Sequence, residues 1–432
     1  MSKKNDLEHT STTLGNQDMK GSQRMVSVVE PYELPEGWKW CRLGDVCKFE
    51  NGYAFKSDKF AKEGIPVVRI TNLKDNEVSL EDCVYTTEDN IEERFIVKKG
   101  DLLIAMSGAT TGKNGVYLFD KIVYLNQRVG NIKVIDSTIL NDKYRNFYIQ
   151  AKEQDILKNA YGGAQPNISS TKICAMPFPL PPTLAEQQRI VNRIESMFAK
   201  LDEAKEKAQN VVDGFEIRKA AILHKAFTGE LTSKWRKENG VCDDSWVEKR
   251  FDEVAEIKSN LVDIAEYQDF PHIAPDNIEK KTGVLLEYHT VAEDKVTSGK
   301  HRFYAGQILY SKIRPYLSKV VIVDFDGVCS ADMYPIAAKG NTKFLWYQML
   351  SNEFLDKASN SGSRSVLPKI NQKELSVIPM QICSLPEQVE IVRILDIIIE
   401  KERTAKEATE NVLEQIDLLK KSILARAFRG EL

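Results

Sequence analysis

The sequence predicts an α+β protein, in which two similar mixed α/β globular domains are joined by two long helices. These helices are expected to form an antiparallel coiled coil with pseudo-twofold symmetry. Two observations support this prediction. A 48-residue segment occurs twice, at 184–231 and 385–432, and the copies align without a gap with 19 identical positions. Each copy follows a region of about 150 residues that begins with the same Trp-x3-Arg-x3-Val pattern, at Trp38 and Trp246. Such a long repeat indicates a duplicated structural unit.

The repeat divides the chain into five predicted segments. Residues 1–28 are polar and poor in aromatic side chains, which predicts a disordered leader. The others are a first globular domain at 29–182, a first helical region at 183–231, a second globular domain at 232–383 and a second helical region at 384–432. No apolar run reaches the length of a transmembrane helix, so no membrane association is predicted.

Both repeated segments carry the signals of a long helix. Each starts with a predicted capping box, Thr183 with Glu186 and Ser384 with Glu387, and each is predicted to run without a break to a glycine. Apolar residues recur at steps of three and four, which is the pattern of a left-handed coiled coil.

Two charged residues interrupt these apolar stripes. Arg218 lies late in the first helix and Glu402 early in the second. In an antiparallel pair they can stand opposite each other and fix the register. The sequence leaves open the alternative that both side chains reach solvent or a partner protein.

A glycine-rich stretch, "MSGATTGKNG" at 106–115, invites a nucleotide-binding interpretation. A phosphate-binding loop needs four residues between its first glycine and the Gly-Lys pair, followed by Ser or Thr. Here Gly108 and Gly112 enclose three residues, and Lys113 is followed by Asn114. The next residues are predicted to form a strand rather than a helix. The stretch is therefore interpreted as a polar, acid-free hairpin loop.

The charge distribution is uneven although the net charge is only −3. Residues 295–323 contain six Lys or Arg and no acid, with four aromatic residues interleaved, and 357–373 contain four more basic residues and no acid. Such stretches are typical of a nucleic-acid surface, and a solvated face explains them equally well.

Several motifs of the chain resemble those of the specificity subunit of type I restriction–modification systems. They are "LPEGWKWCRLGDV", "PVVRITNLKD", "SGATTGK", "LNQRVGNI", "PLPPTLAEQQRIVNRIE" and "AFTGEL". The resemblance implies two target-recognition domains, each reading half of a bipartite site in double-stranded DNA. It implies that the helices act as a ruler and dock two methyltransferase subunits, and that motor-nuclease subunits join this core. S-adenosylmethionine, ATP and Mg²⁺ are then expected in the partner subunits and no cofactor in this chain, within the cytoplasm.

Candidate DNA contacts are polar residues of the predicted loops, since Arg can pair with guanine and Asn or Gln with adenine. In the first domain they are Arg69, Asn72, Ser107, Thr110, Thr111, Lys113, Asn114, Gln127, Arg128, Gln165 and Asn167. In the second they are Lys312, Arg314, Tyr316, Lys319, Arg364, Lys369 and Asn371, with Tyr316 placed to stack on a base or ribose. Loop capping explains each residue singly as well. The second domain has Ala274 where Arg69 would fall, so an asymmetric target is expected.

No catalytic motif accounts for a reaction in this chain. The Asn/Asp-Pro-Pro-aromatic motif of an adenine methyltransferase does not occur, and no metal-ligand spacing is present. "APDNIEKK" imitates a nuclease motif, but its two carboxylates lie in one loop, so a turn explains it better. The chain is predicted not to be an enzyme by itself. The alternative from another class is a coiled-coil scaffold whose globular domains bind proteins.

Overall fold

A computed structural model describes residues 30–87, 91–161, 165–242, 245–360 and 368–432. The predicted leader at 1–28 lies outside these ranges. The chain divides into two compact units: unit 1 is Met1–Asp202 with Asp417–Leu432, and unit 2 is Glu203–Ile416. This division passes through both helical regions, which the sequence assigns to separate segments. Each unit thus combines one globular domain with parts of both long helices.

The globular part of unit 1 contains three sheets and four short helices among its described residues. Its strands are β1 Lys39–Arg42, β2 Cys47–Asn51, β3 Phe60–Ala61, β4 Ile65–Val68, β5 Leu73–Lys74, β6 Asn76–Val78, β7 Val84–Thr86, β8 Ile96–Val97, β9 Leu102–Ala105, β10 Asn114–Val116, β11 Val123–Leu125, β12 Val129–Val134 and β13 Pro177–Leu180. Its helices are α1 Leu43–Val46, α2 Asp142–Ala151, α3 Glu153–Ala160 and α4 Ser170–Cys174, with 3₁₀ turns at Ser57–Lys59, Ile70–Asn72 and Glu93–Phe95.

The strand order of unit 1 places its most apolar strands in the middle. The six-stranded sheet has the order β2-β12-β9-β10-β6-β5 and the five-stranded sheet the order β3-β7-β4-β11-β8. All four residues of β9 are buried, which explains the uninterrupted apolar run that precedes the glycine-rich stretch. The two-stranded sheet pairs β1 with β13 and so joins the start of the domain to the segment that leads into the first long helix.

The first long helix is distorted at Gly214, but the predicted helical run continues through it: the N–H of Gly214 donates to the carbonyl of Asn210 at 3.1 Å, and the N–H of Arg218 donates to the carbonyl of Gly214 at 3.0 Å. It consists of α5 Leu184–Asp213 and α6 Phe215–Phe227, separated by Gly214. A Cβ atom at Gly214 would lie 2.5 Å from Nη1 of Arg218. The same guanidinium donates through Nη2 to the carbonyl oxygen of Val211 at 3.1 Å. The missing side chain of Gly214 therefore leaves room for Arg218 to fold back and cap the last turn of α5.

Unit 2 repeats the arrangement of unit 1, with a four-stranded sheet in place of the six-stranded one. Its strands are β14 Val247–Arg250, β15 Ala255–Ile257, β16 Leu261–Val262, β17 Pro271–Ile273, β18 His289–Thr290, β19 Lys300–Phe303, β20 Ile308–Ser311, β21 Val320–Ile322, β22 Gly327–Cys329, β23 Met333–Ala338 and β24 Pro379–Ile382. Its helices are α7 Ser233–Glu238, α8 Phe251–Val254, α9 Thr342–Met349, α10 Asn352–Asn360 and α11 Gln372–Ser376, with 3₁₀ turns at Ile264–Glu266, Pro275–Asn277 and Pro315–Leu317. The sheet orders are β15-β23-β20-β21 and β16-β19-β22-β17-β18, and β14 pairs with β24.

The second long helix, α12, runs from Leu385 to Ala427 without interruption. The predicted capping boxes are only partly present. Thr183 accepts a hydrogen bond from the backbone N–H of Glu186 at 3.2 Å at the start of α5. Glu387 does not close the second box, because its fully buried carboxylate accepts from Arg236 at 2.7 Å and from Thr232 at 2.7 Å. Glu387 thus anchors the segment that follows α6 rather than the first turn of α12.

Contacts inside unit 2 confirm the predicted antiparallel pairing of the two long helices. In unit 2, Nε of Arg218 lies 2.8 Å from Oε2 of Glu402. Farther along α6, Leu223 shares a core with Ile391 and Leu395, so the residue number rises on one helix as it falls on the other. The register predicted from the two charges that interrupt the stripes is therefore correct.

Polar contacts fasten each globular domain to the helix that follows it. In unit 1, the backbone N–H of Asn141 donates to Gln187 at 2.8 Å, and Lys143 pairs with Glu195 at 2.6 Å. The equivalent contacts in unit 2 join Asn341 to Gln388 at 3.2 Å and Lys343 to Asp396 at 2.7 Å. The same pair of contacts thus holds each domain against the first turns of its helix in both units.

Candidate nucleic-acid interface

The glycine-rich stretch forms the hairpin loop predicted for it. The first hairpin loop, residues 106–113, connects β9 to the strand β10, so no helix follows it. Gly108 and Gly112 have φ angles of +81° and +92°, which favour glycine. A Cβ atom at Gly112 would lie 2.7 Å from the carbonyl oxygen of Glu153. The two glycines therefore serve the shape of the loop and its close packing on α3.

Backbone hydrogen bonds bring the other predicted loops of unit 1 to the same place. The N–H of Gly108 donates to Pro166 at 2.9 Å, and the N–H of Met106 donates to Arg128 at 2.9 Å. The N–H of Asn126 donates in turn to Val68 at 3.1 Å, next to Arg69. Four segments that are distant in sequence thus meet at one surface.

The side chains of this surface are mainly cationic or amide groups. The candidates that are exposed here are Lys113, Gln127, Arg128, Gln165 and Asn167. Arg69 is half-buried, and its Nη2 donates to the carbonyl of Asp82 at 3.4 Å. Ser107 and Thr110 are half-buried as well, and no hydrogen-bond partner for their hydroxyl oxygens occurs among the described residues.

Three candidates of the first domain hold the loops together instead of facing outward. Asn72 is 1% exposed; it accepts from the N–H of Arg69 at 3.0 Å and donates to the carbonyl of Glu81 at 3.1 Å. Thr111 is also buried and donates to the carbonyl of Gly108 at 2.7 Å. Asn114 is buried and donates to the carbonyl of Gly112 at 3.2 Å. The prediction that these three contact DNA is corrected, because their polar atoms are used inside the protein.

Unit 2 builds an equivalent surface with different residues. The second hairpin loop, residues 312–319, connects β20 to β21. The N–H of Arg314 donates to Pro368 at 2.8 Å, as Gly108 does to Pro166, and the N–H of Lys312 donates to Asp332 at 2.9 Å. Arg314 and Ser318 have φ angles of +48° and +47° at the positions where the first loop has glycines. A left-handed arginine costs conformational energy, and such strain is found mostly at functional sites.

The basic residues of unit 2 differ in how freely they face outward. Arg314 and Tyr316 are exposed. Lys319 is not free, because its Nζ donates to the carbonyl of Pro275 at 2.7 Å and pairs with Asp276 at 3.2 Å.

The Nζ of Lys312 donates to the carbonyl of Ala331 at 2.5 Å. Lys369 pairs with Asp332 at 3.2 Å. Asn371 caps α11 by accepting from the N–H of Glu374 at 3.0 Å, and Arg364 lies outside the described residues.

The acids beside these lysines were missed by the sequence interpretation. Residues 295–323 contain no acid, yet Asp276 and Asp332 reach this surface from other loops. Asp332 lies in the turn between β22 and β23, at the place that Arg128 takes between β11 and β12. An alignment of the two turns, "LNQRVG" with "CSADMY", places Asp332 opposite Arg128 and could have identified this carboxylate from the sequence.

Two features could suggest a nuclease: a metal-binding cluster in the part of the chain that the structure describes, and the stretch "APDNIEKK". No group of three or more His, Cys, Asp or Glu side chains there is arranged to hold a metal ion. The stretch "APDNIEKK" forms a 3₁₀ turn in which Asn277 accepts from the N–H of Ala274 at 2.8 Å, and Asp276 is fully exposed. This confirms the turn interpretation. Among the same residues, no helix combines the length and the apolarity that a membrane span requires.

Comparison with known proteins finds the same duplication of a domain. The family model described as "Type I restriction modification DNA specificity domain" matches the chain twice, over residues 35–212 and 243–415. The chain belongs to the type I restriction–modification DNA specificity family. It is 34% identical over 421 residues to the specificity subunit of the type I restriction enzyme EcoDI from Escherichia coli, a match that covers 93% of this chain and 90% of that protein.

More distant members and solved structures are consistent with this assignment. The EcoKI specificity subunit of Escherichia coli strain K12 is 23% identical over 432 residues, covering 93% of this chain and 90% of the relative. A chain from a study of complex assembly and conformational transition of the type I R-M system has a TM-score of 0.71 at 17% identity, covering 93% of this chain and all of that one. The HsdS subunit from Thermoanaerobacter tengcongensis has a TM-score of 0.57 at 18% identity, covering 93% and 99%.

Membership in the family decides between the two function classes. The relatives are specificity subunits, the non-catalytic subunits of multi-subunit type I restriction enzymes, so this chain is a specificity subunit and not a catalytic one. The similarity also favours sequence recognition in DNA over the alternative of a scaffold that binds only proteins. The predicted fold class, two mixed α/β domains with long helices, is confirmed.

Proposed function

We propose that the two loop surfaces are where this specificity subunit reads double-stranded DNA, each recognising one half of a bipartite and asymmetric site. The observation that supports this is the repeated convergence of four segments on one surface, with the same backbone hydrogen bonds and different side chains. On this proposal, the shared frame would let each domain present its loops to a duplex in the same way, and the divergent side chains would select different bases.

The exposed residues suggest a division between base contacts and phosphate contacts. In unit 1, Arg128 and the amides Gln127, Gln165 and Asn167 have the chemistry to pair with guanine and adenine edges. Lys113 is placed at the edge of the loop and suits a phosphate. In unit 2, Arg314 is presented on a left-handed turn beside exposed Tyr316, which suits a base edge and a stacking contact.

The partners follow from the proposed role in a type I enzyme. We infer that two methyltransferase subunits dock on the long helices and that motor-nuclease subunits join them. Adenine-N6 methylation and ATP-dependent cleavage then occur in those partners, which would hold S-adenosylmethionine, ATP and Mg²⁺, and the complex would work in the cytoplasm. The contacts that fasten each domain to its helix support a ruler function, because a change in helix length would be passed to the domain.

DNA binding by the full chain with its methyltransferase partner tests this function. Arg314→Ala and Lys113→Ala each remove an exposed cation of a hairpin loop, and Lys249→Ala removes an exposed cation of β14, outside both hairpin loops. Loss of a phosphate contact should lower the slope of log K against log salt by about one unit on every sequence. Loss of a base contact should cost ~1–3 kcal/mol and relax one position of the target.

The control variant Lys249→Ala should keep both the affinity and the target. Unchanged affinity, salt slope and target sequence in both loop variants would show that the loop surfaces are not the DNA-reading surfaces. Methyl transfer by the purified chain alone would contradict its assignment as non-catalytic.

A further inference from the structure

One position carries opposite charges in the two units within an otherwise identical backbone frame. The N–H of Arg128 donates to Oδ1 of Asn126 at 3.3 Å, and the N–H of Asp332 donates to Oγ of Ser330 at 3.2 Å. The carbonyl of each residue accepts from the first residue of the hairpin loop, Met106 or Lys312, at 2.9 Å in both cases. Arg128 and Asp332 are therefore equivalent, and a cation in one unit is replaced by an anion in the other.

The carboxylate of Asp332 contacts lysines through Oδ1 only, and its Oδ2 accepts no hydrogen bond from a described residue. Its Oδ1 lies 3.2 Å from Nζ of Lys369 and 3.9 Å from Nζ of Lys312, and the side chain is 42% exposed. Lys312 is already satisfied by the carbonyl of Ala331 at 2.5 Å, so it does not need the carboxylate for its position.

An acid on a surface that faces phosphates is unfavourable unless it is compensated. The two lysines supply positive charge beside it, and a donor on the ligand would use the free oxygen. The base edge that offers such a donor to an Asp side chain in the major groove is cytosine, through its N4 amino group. A cytosine–guanine pair also places the O6 acceptor of guanine beside that amino group, which matches the ammonium of Lys369 beside the carboxylate.

We propose that Asp332 is a specificity-determining residue that accepts a hydrogen bond from the N4 amino group of a cytosine in the half-site read by unit 2. This proposal rests on the proposed function of the loop surfaces. The equivalent Arg128 selects guanine at the corresponding position of the other half-site. The charge reversal therefore makes one half-site offer a hydrogen-bond donor where the other offers acceptors.

Selection from a library of duplexes with randomised half-sites tests the proposal. The full chain with its methyltransferase partner is used as wild type and as Asp332→Ala, Asp332→Asn and Arg128→Ala. Wild type should require cytosine at one position of one half-site. Asp332→Ala should reduce the preference for cytosine there on the order of 10- to 100-fold. Asp332→Asn should shift the base preference at this position towards adenine, because an amide pairs with the adenine edge. Arg128→Ala should relax a guanine in the other half only.

The outcomes separate this proposal from the proposed function. If Asp332 only positions Lys312 and Lys369, both Asp332 variants will lose affinity for all sequences alike and keep the wild-type target. That result, or a wild-type target without cytosine at the position that the variants change, overturns the proposal and leaves the proposed function intact. A wild-type complex that selects no sequence at all overturns both.

Discussion

The ion pair between Arg218 and Glu402 is expected to couple the two long helices in unit 2. Nε and Oε2 are 2.8 Å apart, and the side chains are 39% and 26% exposed. At an effective dielectric constant of about 20, Coulomb attraction at this distance is ~6 kcal/mol. Partial exposure and the loss of hydration offset most of it, because measured pairs near the surface rarely exceed ~1 kcal/mol. We therefore expect a coupling energy of about 1 kcal/mol between the two side chains.

A double-mutant cycle with Arg218→Ala and Glu402→Ala measures this coupling. Hydrogen exchange of the backbone amides in 203–227 and 395–412 gives local unfolding free energies in the full chain, so no two-state unfolding of both units has to be assumed. Arg218→Ala should cost more than Glu402→Ala, because it also removes the hydrogen bond to the carbonyl of Val211.

The exposed pair of Glu203 and Lys207 serves as the matched control. These residues are one helical turn apart on α5, with side chains 65% and 74% exposed, and a cycle on them should give about 0.3–0.5 kcal/mol. A coupling energy for Arg218 and Glu402 that is indistinguishable from zero would refute the reasoning that the pair sets the register. A value no larger than that of the control would do the same.

Further predictions concern Gly214 in the first helix, two buried polar sites and the helix length. Gly214→Ala should destabilise α6 in the wild-type chain but stabilise it by about 1 kcal/mol in the Arg218→Ala chain, as hydrogen exchange would report, because Ala favours helix once the guanidinium is gone. Asn72→Ala should lower the stability of unit 1 by ~1–3 kcal/mol in thermal unfolding and leave the DNA target unchanged, whereas a changed target at full stability would contradict its assignment to the loop frame. Arg236→Ala should cost ~3–5 kcal/mol in the same assay, since it leaves a buried carboxylate unpaired, and a cost below 1 kcal/mol would contradict this. Four residues inserted after Ala208 add ~6 Å of helix and should lengthen the non-specific spacer by one or two base pairs, which sequencing of methylated DNA would detect; an unchanged spacer would count against the ruler.

The sequence predicts the parts of the structure that depend on period and repetition. The duplication predicts two units with equivalent loops, and the two charged residues in the apolar stripes predict the register of the helices. The distortion at Gly214 was not predicted, because a single glycine within a helical pattern is usually tolerated. The side chain of Arg218, four residues later, occupies the space beside this glycine, and such a contact cannot be read from the local sequence.

The candidate site could be located from sequence but not resolved into its roles. Asn72 and Lys113 both look like polar loop residues, and only the tertiary arrangement shows that the first is buried and the second exposed. The pairing of Asp332 with Lys369 joins residues 37 positions apart through the meeting of two loops. No local pattern reports such a contact, because it depends on how the sheets place their connecting turns.

Unit 1 is built from two separate stretches of the chain, and this affects the order in which the chain folds. Its core contains Leu424 and Ala427 from the end of α12 and Phe428 directly after it, and the ring of Phe428 packs against Tyr144 and Tyr148 at 5.2 and 5.3 Å between centroids. These residues leave the ribosome only after all of unit 2 has been synthesised, whereas unit 2 is continuous in sequence. During synthesis, part of the apolar core of unit 1 therefore stays exposed until the end of the chain has been made. All residues of unit 2 are available before that. Vectorial synthesis favours folding of the second half of this protein before the first is complete.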